Sequence, residues 1–148
     1  MILPTATVDI AATRQRVFSF MANPDNVKRW QPDVVESTPL TDGGMRRGAR
    51  WRVTVQEYGR RFDVETSVVD MALDQRLVFE TSAPTANVQV DYRFFDHGAK
   101  TRVELIATLT PRGIMRIFFP FAKGMIRRKV AARLDLLREV IEATGAEP

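Results

Sequence analysis

Cysteine is absent from the 148-residue chain, which excludes disulfides, thiol nucleophiles and cysteine-ligated metal centres. There is one histidine, His97. Imidazole is the commonest transition-metal ligand, so metal chemistry has little to work with, and a Ser-His-Asp triad built on a residue in an Asp-His-Gly turn is improbable. No Gly-rich phosphate loop is present either, because Gly43-Gly44 lacks both the following lysine and the spacing. No apolar run reaches the roughly 20 residues of a membrane span. The opening Met1-Ile-Leu-Pro-Thr-Ala-Thr7 lacks the basic and apolar regions of a signal peptide, so the expectation is a soluble cytoplasmic protein. Glycine and proline, 8 each, are ordinary, and 45% hydrophobic with 27% charged residues excludes fibrous and disordered classes. The length fits one domain, 1–148, able to bury roughly two-thirds of its unfolded surface.

The net charge is +4, and it is unevenly spread. Residues 111–133 hold Arg112, Arg116, Lys123, Arg127, Arg128, Lys129 and Arg133 with no acid, leaving 15 of the 22 basic residues against all 18 acidic ones elsewhere. A local basic stretch suits an anionic partner such as an acidic lipid surface; a solvated helix face is the plainer reading. Nucleic acid is not expected, since few aromatics interleave with the basic residues on a strand platform.

Thr5–Ala11 is β-branched with alternating apolar residues and reads as a first strand. Thr13 can cap a helix whose apolar side is Val17, Phe18, Phe20 and Met21. Asn23-Pro24 stops it and starts a second, brief helix running to about Arg29, before Trp30. Pro32 and Pro39 bracket a short edge strand over 33–38, and 41–48 is a turn-rich loop. Alternation then marks five strands. Trp51, Val53 and Val55 share one face; so do Phe62, Val64, Thr66 and Val68; then Leu77, Phe79 and Thr81; then Val88, Val90, Tyr92 and Phe94; and last Val103, Leu105, Ala107 and Leu109. Tyr58–Arg61 and Asp96–Ala99 are the tight turns. A meander is the simplest topology. Pro111 ends the sheet. Pro120 should break or kink the apolar, basic stretch 113–121, and a long helix is expected from Gly124 to about Ala143, stopped by Gly145. Its stripe is Ile126, Val130, Leu134, Leu137 and Ile141, with Arg128, Asp135 and Glu139 opposite.

These elements predict an α+β fold: a curved, seven-stranded antiparallel sheet wrapped around a long C-terminal helix, with two short helices after strand 1. Twist curls such a sheet, and the amphipathic helix finds burial on its concave face. The pattern is compatible with a packed interior and with an open one. The order of elements resembles the helix-grip fold of the START/birch-allergen-like superfamily, SRPBCC. The opening Ile10-Ala-Ala-Thr-Arg-Gln-Arg-Val-Phe-Ser-Phe-Met-Ala-Asn-Pro-Asp-Asn-Val-Lys-Arg-Trp30 resembles its signature: a small-residue cap, a Val-Phe helix, an Asn-Pro turn and a Trp. Gly48 and the aromatic strand after it resemble the family's second hairpin. The ending, Pro111 through Arg127-Arg128-Lys129 to Leu134 and Leu137, resembles the polyketide cyclase/dehydrase-like branch. The resemblance implies a hydrophobic cavity; members include lipid carriers, quinone and hormone binders and aromatic polyketide cyclases, so the fold by itself names no reaction.

The expected partner is therefore a small hydrophobic molecule, lipid, polyketide or quinone-like, with no cofactor and no metal, bound by a monomer or homodimer. The expected lining is Trp30 and Trp51 at the mouth; Val53, Val55, Val64, Thr66, Phe79, Val90, Tyr92, Phe94 and Leu105 from the strands; Phe118, Phe121 and Met125 as a lid, together with Phe119; and Val130 and Leu134 from the helix. Two residues are weak catalytic candidates. The Tyr92 phenol can donate to a ligand carbonyl, although a core tyrosine with a backbone partner is the plainer reading. Arg133, at the margin of the helix stripe, can hold an anionic group, or simply snorkel. Asp63, Glu65, Asp91 and Glu104 alternate to the wet face, so no carboxylate pair is proposed. Binding ranks ahead of catalysis. A polyketide cyclase/dehydratase-like enzyme and a peripheral protein contacting anionic membranes through 112–129 are the alternatives.

Overall fold

The computed structural model describes residues 5–57 and 59–144; the expected stop at Gly145 and Tyr58 of the expected turn lie outside them. The chain opens with β1, Ala6–Ile10, and α1, Arg14–Ala22. Thr13 caps α1, its hydroxyl accepting the Arg16 amide at 3.2 Å. The Asn23 side chain accepts the Asp25 amide at 3.0 Å, and Pro24 opens a 3-10 turn, Pro24–Asn26, that runs into α2, Val27–Trp30. α1 and the 3-10 turn thus begin on side-chain acceptors that satisfy otherwise orphaned amides, and α2 continues from that turn.

Six strands follow: β2, Val34–Pro39; β3, Arg50–Glu57; β4, Arg60–Ala72; β5, Arg76–Ser82; β6, Ala86–His97; and β7, Lys100–Pro111. They form one antiparallel sheet in the order β1-β7-β6-β5-β4-β3-β2. The run β2 to β7 is the expected meander, and β1 closes beside β7 with Val8 opposite Val103. The β6–β7 turn is tighter than the sequence suggested. His97 already pairs with Lys100, so Gly98 and Ala99 make the whole turn, and Gly98 sits at φ +62, a conformation that needs no Cβ. Register shifts at Val34/Glu36 and Val68/Asp70 are bulges of the kind that bend strands and increase their twist, and they curve the β2–β5 half of the sheet.

The last element, α3, corrects one expectation. It runs unbroken from Met115 to Ala143 with Pro120 and Gly124 inside it, where a break or kink at Pro120 and a start at Gly124 were expected; the break and the late start are what the continuous helix overturns. Pro120 removes only the hydrogen bond to the Arg116 carbonyl, and both residues are exposed, so water can satisfy that oxygen. Phe119, 1% exposed, packs into the core beside it and holds the first turns down. The expected stripe faces the sheet: Leu134, Leu137 and Ile141 are at most 2% exposed, and Ile126 and Val130 pack against the same core. At the far end, the Arg16 guanidinium donates to the Ile141 carbonyl and the Thr144 hydroxyl, both at 3.2 Å. A cation there satisfies terminal carbonyls and complements the helix dipole.

A second correction concerns the outer face. Asp91 does alternate outward, but it is only 7% exposed. Arg76 lies along its carboxylate, Nε to Oδ1 at 3.0 Å and Nη2 to Oδ2 at 2.8 Å, and Arg93 Nη2 reaches Oδ2 at 3.2 Å. Arg76 also pairs with Asp70 at 3.4 Å, and Asp70 pairs with Arg47. Two long arginine stems cover the carboxylate, which alternation alone does not reveal. Burial pushes the Asp91 carboxyl up, but the hydrogen bonds and charges of Arg76 and Arg93 outweigh it and hold it below its ordinary value. A depressed carboxyl adds stability that is full above its unfolded value and is lost as pH falls through the folded one. Asp91→Asn is expected to cost about 1–2 kcal/mol at neutral pH. In urea denaturation that difference from wild type should shrink below pH ~4; an equal difference at both pH values would refute the ion-pair account.

Candidate functional site

Because β1 and β2 are opposite edges of the sheet, the chain between them crosses the concave face. That crossing segment, the tail of α1 through α2 into β2, roofs the β3–β6 half. Between roof and sheet lies a cavity of about 120 Å³. This is smaller than the roughly 300–1,000 Å³ of a drug-sized site but near the ~150 Å³ that holds a benzene-sized guest. The roof contributes Met21, Pro24, Val27, Trp30, Gln31 and Val34, with Ser37 from β2 and Met45 from the following loop. The floor contributes Trp51 and Val53 of β3, Thr66 of β4, Phe79 and Thr81 of β5, and Val90 and Tyr92 of β6. Arg133 closes one side from α3.

The floor is an aromatic frame. The Tyr92 ring meets Trp30 edge-on at 6.0 Å and Phe79 edge-on at 6.2 Å, a geometry favoured by the ring quadrupoles. Few polar groups interrupt it. Thr66 and Thr81, directly opposite across β4 and β5, bond through their hydroxyls at 3.0 Å. Trp30 is 2% exposed, and its indole Nε1 is buried with no hydrogen-bond partner among the described residues. An orphaned buried donor costs about 1–3 kcal/mol.

The strongest polar feature is Tyr92 beside Arg133. Burial pushes the Tyr92 phenol up, and the charge and hydrogen bond of Arg133 pull against that shift; the net rise keeps the hydroxyl neutral and able to donate. Arg133 is anchored from the roof, its Nη2 3.6 Å from Asp33 Oδ2. One turn earlier, Lys129 pairs with Glu57. Burial lowers the Lys129 ammonium, with Asp33 raising it and Arg133 lowering it further. Two cations of α3 and two carboxylates of the neighbouring segments thus make a balanced cluster at the cavity's edge.

Of the residues expected at the site, the structure brings Trp30, Trp51, Val53, Thr66, Phe79, Val90, Tyr92 and Arg133 together. Phe94, Leu105 and Leu134, at most 3% exposed, are in the packed core. Val64, buried on β4 directly opposite the lining residue Val53, and Val55, half-buried on β3, do not themselves line the cavity. Val130 borders a shallow groove with Ala6 and Ala107 on the other side of α3. Phe118, Phe121 and Met125 stand 51%, 86% and 47% exposed, so they do not cover the cavity; Phe119 is the one of that run that turns inward. The roof residues Met21, Pro24, Val27, Gln31, Val34, Ser37 and Met45 were not foreseen, and neither was Asp33 as the partner of Arg133. The signal was the edge position of 33–38, which forces the preceding helices across the sheet. His97 sits on the outer face, 3.1 Å from Arg102 and 4.0 Å from Asp9. Among the described residues no group of three His, Asp or Glu side chains is placed to hold a metal ion.

The chain has two tyrosines, Tyr58 and Tyr92. In a Tyr58→Phe background, the phenolate absorbance of Tyr92 should appear above the ordinary range, near pH ~10. Arg133→Met should move it higher still, since the cation favouring phenolate is gone. An unmoved titration would mean that Arg133 does not act on the phenol.

Comparison with known proteins agrees with this architecture. A Streptomyces aromatase/cyclase superposes with a TM-score of 0.81 at 16% identity, over 99% of this chain and 98% of its own. A START superfamily protein of Mycobacterium smegmatis gives 0.79 at 14% identity, over 97% and 99%. A protein of Thermus thermophilus gives 0.76 at 19% identity, over 99% and 100%. At these identities the likeness is one of fold. No curated protein sequence matches. The family model described as polyketide cyclase / dehydrase and lipid transport matches residues 1–142, and the chain belongs to that family.

Proposed function

We propose that the protein binds a small, largely apolar molecule with one oxygen-bearing end, a polyketide, quinone-like or lipid molecule, a single ring or chain end of which fills the cavity of about 120 Å³ between the sheet, the α1–α2 roof and α3 while the rest extends through its open side. The single observation that carries this reading is the Arg133 guanidinium at one side of a largely apolar, aromatic-framed cavity, next to the Tyr92 phenol. A carbonyl, phenolate or carboxylate oxygen would lie against Tyr92 and Arg133, while rings or chain pack on Trp30, Trp51 and Phe79. The unpartnered Trp30 Nε1 offers a further donor.

Catalysis on the same molecule is a second reading, favoured by the convergence of a neutral phenol and a cation. Together they can stabilise charge that develops on a carbonyl oxygen as it becomes an enolate.

Native mass spectrometry of freshly purified protein, followed by solvent extraction, tests the binding reading first: a discrete added mass of a hydrophobic compound is expected. Both tryptophans of the chain line the cavity, so indole fluorescence should report titration with aromatic polyketides, quinones and fatty acids. Arg133→Met should weaken a ligand bound through an oxygen by about tenfold or more. Equal affinity for wild type and variant, or no binding across the panel, would overturn the reading. Tyr92→Phe separates carrier from enzyme. An enzyme would keep binding but lose roughly 10²–10³-fold in turnover, whereas a carrier would show no turnover in either form.

A further inference from the structure

The start of α3 carries an apolar stripe that faces solvent. Ile114, at the N-cap, is 67% exposed, and Ile117, Phe118, Phe121 and Met125 on the helix are 69%, 51%, 86% and 47% exposed. Their positions follow i, i+3, i+4, i+7 and i+11, one face of a helix. At 100° per residue this face lies opposite Phe119, Ile126 and Val130, which pack on the core. The first three turns of α3 are therefore apolar on two opposite sides, one buried and one exposed. An exposed cluster of this kind marks an interaction surface.

Its occupant is indicated by charge. Arg128 borders the exposed apolar face, while Arg116, Lys123 and Arg127 stand round the same turns on the far side, from where long stems must reach to a headgroup layer; among the described residues none of the four has a carboxylate in ion-pair range. The other cations of the segment are engaged: Arg112 with Ser82, Ala83 and Asn87, Lys129 with Glu57, and Arg133 with Asp33. Further along, the outer face of α3 turns acidic with Asp135, Glu139 and Glu142, all exposed. A second copy pairing through this patch would set basic turns against basic turns. A polyanion without an apolar phase would leave Ile117 and Phe121 in water. An anionic bilayer satisfies both, taking isoleucine and phenylalanine into the acyl boundary and arginine at the headgroups. No helix of the described residues is long and apolar enough to cross a membrane, so the segment would lie in the interface plane.

We propose that the first four turns of α3 with their N-cap, from Ile114 to Arg128, dock the protein on an anionic lipid surface. This stands independently of the cavity's occupant. Flotation with phosphatidylcholine vesicles, with and without about one part in three of phosphatidylglycerol, tests it. Wild type should float with the anionic vesicles only and be released as salt rises. Ile117→Ser with Phe121→Ser should weaken binding by about tenfold or more, and Arg127→Glu with Arg128→Glu by about 30-fold or more. Both pairs are exposed, and circular dichroism checks that the helix persists. The proposal fails if wild type ignores anionic vesicles at low salt, or binds neutral vesicles equally. Binding that survives the apolar variant while the charge variant abolishes it would point to a bare polyanion and overturn it. So would a dimer in sedimentation velocity that the apolar variant dissolves, since the patch would then belong to a second copy.

Discussion

A helix is too narrow for this sheet. Seven strands about 4.8 Å apart span roughly 29 Å, whereas a helix with its side chains is about 10–12 Å across. α3 therefore covers the β1–β7 side, where Leu137, Ile141 and Phe119 meet Val8, Val103 and Leu105 in one cluster. The β2–β6 side needs a second cover, and among the described residues the segment that crosses it is the one leading from β1 to the opposite edge. Packing is tight under the C-terminal half of α3, where Leu134, Leu137 and Ile141 are buried, and incomplete where the short roof helices meet the bulged strands. The cavity follows from that difference in coverage.

The same crossing segment supplies the chemistry. Trp30 ends α2, Gln31 follows, Asp33 comes two residues later, and Val34 starts the edge strand. A guanidinium beside an apolar cavity is costly unless paired, and Asp33 provides the counter-charge from the roof while the aromatic floor stays apolar. Arg133 is thus held from one side with donor capacity to spare for the cavity. Tyr92 sits where both effects meet, deep enough to stay neutral and close enough to the cation to be polarised.

Much of this was legible in the sequence, and what was missed has a physical reason. Alternation at Trp51-Val53, Phe79-Thr81 and Val90-Tyr92 reports sidedness directly, because a strand has a period of two. The stripe from Ile126 to Ile141 reports the face of α3 equally well. Neither pattern reports depth along an element. Thus Leu105 shares its face with cavity residues and yet lies in the core under α3, and Leu134 of α3 is packed into that core although Arg133 beside it reaches the cavity, while Val53 and Val90 line the cavity. The roof was harder to read because Pro24, Gln31 and Ser37 carry no periodicity, and their role depends on where β2 joins the sheet. Pro120 misled because propensity is local, whereas Phe119 and Ile126 are anchored by tertiary packing on either side of it.

The joining of β1 to β7 also bears on how the chain reaches this state. β1 has a single partner strand, and that strand ends at Pro111. The Arg16 guanidinium finds its acceptors at Ile141 and Thr144, more than a hundred residues away. The meander from β2 to β7 can form from neighbours, hairpin by hairpin, but closure of the sheet and seating of α1 are non-local and entropically late. During synthesis, β1 and α1 are made first and placed last. Until β7 and α3 have emerged, Val8 and Ile10 have no strand beside them and Phe18 has only Phe94 of β6 to meet, and β1 waits as an unpaired strand of the kind that invites aggregation.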